Sequence, residues 1–115
     1  VNVTDVLGQG LGHQVYEAVS EHLGDTAQVR VSRTQVGWAK RRGFAFLWSA
    51  RRWQGPSAAP VVLTLAFTSP DPSPRWKEVF EVRQGLWNHH LEVHNLSEID
   101  EQVLGWVDRA AEEAA

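Results

Sequence analysis

Between Leu86 and Trp106 the hydrophobic pattern changes from a period of two to a helical one, so a strand must feed directly into a closing helix. Leu91 and Val93 alternate with His90, Glu92 and His94, the pattern of a strand buried on one face and wet on the other. Asn95, Leu96 and Ser97 break the alternation. Ile99, Val103, Trp106, Val107 and Ala110 then fall on one helical stripe. Ser97 is placed to accept a free backbone N–H at the helix start, where Glu98, Asp100 and Glu101 put negative charge at the positive end of the dipole.

Upstream, Thr4 is expected to cap a short turn through Leu7. Val15, Ala18, Val19, His22 and Leu23 make one helical face that Gly24 ends. Two short strands, around Val29–Val31 and Thr34–Trp38, meet near Arg33. A tight polar connection from Ala39 to Gly43 leads to a third strand, Phe44–Trp48. Ala50–Pro60 reads as a loop and Val61–Phe67 as a strongly apolar strand. Pro70, Pro72 and Pro74 forbid a central strand, because each lacks a backbone donor. Ser73–Phe80 reads as a lid that docks Trp76 on the core. A weak strand at Glu81–Arg83 and a turn at Gly85 precede the strand from Trp87 to His94.

The order helix, strands, helix, with connections too short for crossover helices, specifies an α+β fold. The expected architecture is a two-layer sandwich, a mainly antiparallel sheet of about five strands with the N- and C-terminal helices packed on one face. At 115 residues the chain is one domain, residues 1–115, with a single core. Its 43% hydrophobic and 22% charged residues are those of an ordinary globular protein. With no cysteine there are no disulfides or thiolate metal sites, and a cytoplasmic location is allowed. The longest apolar run, Val61–Phe67, is far short of a membrane span, and Val1–Gly10 lacks the form of a signal peptide. No membrane association is expected.

Three blocks carry a family likeness: VSRTQVGWAKRRGFAFLW at Val31–Trp48, SPRWKEV at Ser73–Val79, and HHLEVHNLSEIDEQVLGWV at His89–Val107. In matching order over nearly the whole chain, they resemble the bacterial domain of unknown function numbered 5655. The resemblance supports the fold and assigns no catalytic residue.

Charge is segregated. No Asp or Glu lies between Thr26 and Pro70, whereas Arg30, Arg33, Lys40, Arg41, Arg42, Arg51 and Arg52 all do; the net charge of −3 conceals this. The reading this favours is a small non-enzymatic binding or accessory domain. A basic hairpin surface of Lys40, Arg41, Arg42, Arg51, Arg52 and Trp53 would contact nucleic acid or an acidic protein partner, phosphates meeting the cations and bases stacking on tryptophan. The plainer reading is that Trp38 and Trp48 are core residues and the arginines solubilise a turn. Trp53, outside the strand pattern, separates the two.

Two alternatives remain. His90, Glu92 and His94 share a strand face and offer a possible metal ligand set for a metal-assisted enzyme. The outer two lie about 14 Å apart along the strand, so a further strand would have to supply ligands. The other alternative is a small-molecule pocket between sheet and lid, lined by Trp76, Phe80 and Trp87. No motif calls for a cofactor, and Gly8, Gly10 and Gly12 lack phosphate-loop spacing.

Overall fold

A computed structural model describes residues 1–115. The chain opens with a short helix, α1 (Val3–Leu7), capped by Asn2 and not by Thr4. The Asn2 side chain accepts the Asp5 N–H while the Asp5 carboxylate accepts the Asn2 N–H, each at 2.9 Å. This reciprocal box satisfies two orphan donors at once, which Thr4 could not do. The second helix, α2 (Leu11–Leu23), ends at Gly24, whose φ of 60° lies in the left-handed region open to glycine.

Six strands follow: β1 (Gln28–Val31), β2 (Val36–Ala39), β3 (Gly43–Trp48), β4 (Val61–Phe67), β5 (Glu78–Arg83) and β6 (Leu86–Val93). They form one sheet in the order β1-β2-β3-β4-β6-β5, every neighbouring pair antiparallel. The sixth strand is β5, longer than the weak Glu81–Arg83 signal. As an edge strand it stays largely exposed, so little hydrophobic alternation marks it. Within the expected Ala50–Pro60 loop lies a one-turn helix, α3 (Ala50–Gln54), started by Ser49, whose hydroxyl accepts the Arg52 N–H at 3.3 Å. Five residues are too few to show a helical stripe.

The closing segment has two caps where one was expected. Asn95 caps a 3-10 turn, Leu96–Glu98, and Asp100 caps the last helix, α4 (Glu101–Glu113), accepting the Val103 N–H at 3.0 Å. Ser97 therefore sits inside the turn. Asn95 and Glu98 form the reciprocal pair that a Ser97 start could only approximate, Asp100 being a short partner at the third position.

Both long helices cover one face of the sheet, as the sequence requires. Val15, Val19 and Leu23 of α2 and Val103, Val107 and Ala110 of α4 join Trp38, Leu47, Leu63, Leu65, Leu91 and Val93 in the core. Each such buried Val or Leu contributes about 1.5–3 kcal/mol. His22 Nε2 and Asp108 Oδ1, 2.9 Å apart, tie α2 to α4. No helix is long and apolar enough to cross a membrane.

The proline loop is a lid, fastened to α4 and not hinged over a cavity. Arg75 donates to Asp100, Gln102 and the Glu98 carbonyl, and Arg109 donates to Asp71 and Ser69. Trp76, only 8% exposed, packs against Phe67, His89 and Trp106, and its indole N–H donates to Asp71 at 3.0 Å. The expected small-molecule pocket is thus filled by Trp76 itself. Phe80, another of its proposed walls, lies on the other face of the sheet beside His90.

Candidate functional site

The face of the sheet that carries no long helix presents an aromatic groove. Its axis follows from strand register alone. Arg30 opposes Gly37, Gly37 opposes Phe46, Phe46 opposes Thr64, Thr64 opposes His90, and His90 opposes Glu78. Directly opposed residues share a face, so this is one continuous row across all six strands. At about 4.8 Å between strands it extends about 24 Å.

Four shallow depressions lie along the row and share walls. Arg30, Gly37, Gly43 and Phe46 line the first; Gln35 and Trp48, the second and third, with Trp53 at one rim and Asn88 and His90 farther along; Lys77, Glu78 and Glu92 join Trp48 and His90 at the far end. Trp48 is half-buried on this face, and its indole N–H donates to Thr64 Oγ1 at 3.1 Å, fixing the ring over β4. His90 meets the edges of Trp48 and Phe80, with centroids 5.7 and 5.2 Å away. Phe46 is accommodated by two glycines. A Cβ at Gly43 would lie 2.7 Å from Phe46 Cζ, and one at Gly37 would lie 3.2 Å from Cδ1.

The tryptophans therefore divide. Trp38 is a core residue, 1% exposed, whereas Trp48 belongs to the groove and Trp53 is 56% exposed at its rim. The Arg52 guanidinium lies 5.3 Å from the Trp53 ring centroid. Parity alone could not assign Phe46 and Trp48 to the wet face, because Phe44, at the same parity, is fully buried where the β2–β3 register shifts. Gln35, Thr64 and Asn88 carried no sequence signal, because only the folded sheet brings them together.

The basic residues do not form one patch. Lys40–Arg42 and Arg51–Trp53 sit beyond opposite ends of β3, about 17 Å apart along the strand. The hairpin leans to the helix side. Arg41 N–H donates to the Ala114 carbonyl at 2.9 Å and Arg42 Nη2 to the Glu113 carbonyl at 3.1 Å, placing positive charge at the negative end of α4. Lys40 turns the chain, its N–H on the Arg42 carbonyl. Arg51 donates to the Ala58 carbonyl, and Arg52 to the Asp5 and Val6 carbonyls at the end of α1. None of the five is ion-paired to a carboxylate.

His90, Glu92 and His94 do not assemble a ligand set, since no group of three His, Cys, Asp or Glu is placed to hold a metal ion. His90 lies on the groove floor, 3.5 Å from Glu78, while His94 lies past the end of β6 and its backbone N–H bonds Glu98. Burial holds His90 below its ordinary value of 6.5, with Glu78 opposing, so the ring is neutral at pH 7. On the core side, His89 is fully buried. Its Nε2 accepts the Asp71 N–H at 2.9 Å, so Nδ1 carries the proton toward the Leu65 and Trp87 carbonyls. Burial lowers its pKa as well, against the pull of those carbonyls.

The family model described as Domain of unknown function (DUF5655) matches residues 15–113. The chain belongs to this family. The DUF5655 match begins within α2 and takes in every strand and all of α4, so the whole groove lies inside it, while α1 lies outside. Comparison with curated proteins and with solved structures returned no match.

Proposed function

We propose that this chain is a small binding domain, without chemistry of its own, that lays a single-stranded nucleic acid across the open face of its sheet. One observation carries the reading: the row from Arg30 to Thr64, with Phe46 in it and Trp48 and Trp53 beside it, lies on strands β1 to β4, within a stretch from Thr26 to Pro70 that contains no carboxylate. Phe46, Trp48 and Trp53 offer ring faces to bases. Gln35, Asn88 and Gln54 offer amide donors and acceptors to base edges, and Arg30 offers charge to phosphates, with the exposed Arg33 following in the β1–β2 turn and the Arg52 guanidinium beside the Trp53 ring. A duplex hides its base faces, so a flat aromatic floor favours single strands.

Of the residues first singled out, Trp53 stands at the rim of this surface with the Arg52 guanidinium beside its ring. The Arg42 guanidinium serves the helix end instead, where the Arg41 backbone N–H joins it. A cysteine-free chain needs no oxidising compartment, and we take the bacterial cytoplasm as its setting.

The test is a fluorescence-anisotropy titration with single-stranded DNA, single-stranded RNA and duplex at two salt concentrations. Single strands should bind more tightly than duplex, with affinity falling as salt rises because cations on the strand are released. No single-strand binding at low salt, or capture of polyglutamate with equal affinity, sinks the nucleic-acid reading; the latter outcome favours an acidic protein partner.

A further inference from the structure

The groove is not uniform along its length. Its row starts at a cation, Arg30, and ends at an anion, Glu78. Every carboxylate on the open face comes from β5 and β6. Glu78 opposes His90, and Glu92 follows Trp48 and Val62 in the adjacent row. Lys77 sits at the same end, so two negative charges face one positive. Trp48 is at the boundary, its ring lining the depressions on both sides.

A strand threaded through the whole groove would bring phosphates within a Debye length of Glu78 and Glu92, where like charges are poorly screened. A strand that stops there would not. Resting on the proposed single-strand reading, we infer that the groove receives the end of a strand and not its interior, the terminal base docking over Trp48 and His90 while the backbone leaves toward Arg30. Asn88, Gln54 and the two carboxylates then meet only the uncharged edge of the last base and sugar, whose N–H and O–H groups can donate to the carboxylates.

Competition between a linear thymidine oligonucleotide and the circle ligated from it, monitored by anisotropy of an internally labelled linear probe, tests this. The linear strand should compete at least about tenfold better, since the circle offers only interior phosphates to the acidic end. In a Glu78→Gln, Glu92→Gln variant the circle should come within about threefold of the linear strand. Equal competition by circle and linear strand against the unaltered protein overturns the end-binding inference and leaves single-strand binding standing. A preference unchanged in the variant overturns it too, because the carboxylates are then not the stop. No binding of either form removes both readings.

Discussion

The indole N–H of Trp48 donates to the hydroxyl of Thr64 across 3.1 Å, from β3 to the neighbouring β4. Thr64 is one of only two buried polar or charged residues, and this bond uses its hydroxyl to hold an aromatic ring on the open face. A half-buried tryptophan anchored in this way is preorganised to stack, because its rotamer is fixed before a ligand arrives. Thr64→Val should cost about 0.5–1.5 kcal/mol of stability for the lost bond. It should also weaken oligonucleotide binding, since the ring is then free to turn. Urea unfolding and anisotropy on the same variant check both; unchanged affinity would mean that the bond serves stability alone.

Gly43 gives a sharper separation of binding from folding. The Cβ of Gly43→Ala would come within 2.7 Å of the far end of the Phe46 side chain, which can swing outward, and no φ in the left-handed region forbids the alanine. The swing moves the ring up into the groove. We expect a stability loss under about 1.5 kcal/mol and a larger effect on ligand affinity. Equal affinity with an intact fold would show that Phe46 is not part of the floor.

Acid should destabilise the fold in two separate steps. His89 and His90 have pKa values lowered below 6.5 by burial, so between that value and their folded values the unfolded chain binds protons that the folded chain does not. Stability is then full above about pH 6.5 and falls as the pH drops below it. The second step involves carboxylates. For Asp71, burial acts to raise the pKa but is outweighed by hydrogen bonds from Trp76 and Ser73 and by Arg109. For Asp100, hydrogen bonds from Val103 and Arg75 lower it. Their contribution is present above 3.8 and lost as the pH falls through the still lower folded values. Thermal unfolding across this range should show the first decline reduced in His89→Gln, with the second still present through Asp100.

The salt dependence of binding distinguishes which cations touch phosphate. Arg30→Ala should reduce the slope of log K against log salt by about 1, as loss of one phosphate contact does. Arg42→Ala should leave the slope alone and lower stability, because its guanidinium holds the Glu113 carbonyl at the end of α4.

The layers of this fold were legible because hydrophobic period and strand parity act over short stretches. Leu11–Leu23, Val61–Phe67 and Leu86–Val93 all stand where alternation or a helical stripe put them. Shorter and edge elements escaped for opposite reasons: α3 is too brief to show a period, and β5 buries too little to alternate. The caps at Asn2, Asn95 and Asp100 lie two or three residues from the expected Thr4 and Ser97 because several competent side chains compete at each helix start, and reciprocal geometry decides.

The candidate site was legible only in its charge. The acid-free stretch was visible, but sequence proximity joined Lys40–Arg42 to Arg51–Trp53, although β3 carries the chain from one edge of the open face to the other between them. Of the residues that share a depression with Trp48, Gln35 comes from the β1–β2 turn, Thr64 from β4, and Asn88 and His90 from β6, which pairs with β4 out of sequence order. No local pattern encodes that.

The most direct measurement is one anisotropy titration of a single-stranded oligonucleotide against the unaltered protein, Trp48→Ala/Trp53→Ala and Lys40→Ala/Arg41→Ala. Base stacking of about 1–3 kcal/mol per ring predicts an affinity loss of at least about tenfold for the tryptophan pair, and a change below about threefold for the hairpin pair. The reverse order of losses, with both variants folded, would contradict the open face as the binding surface.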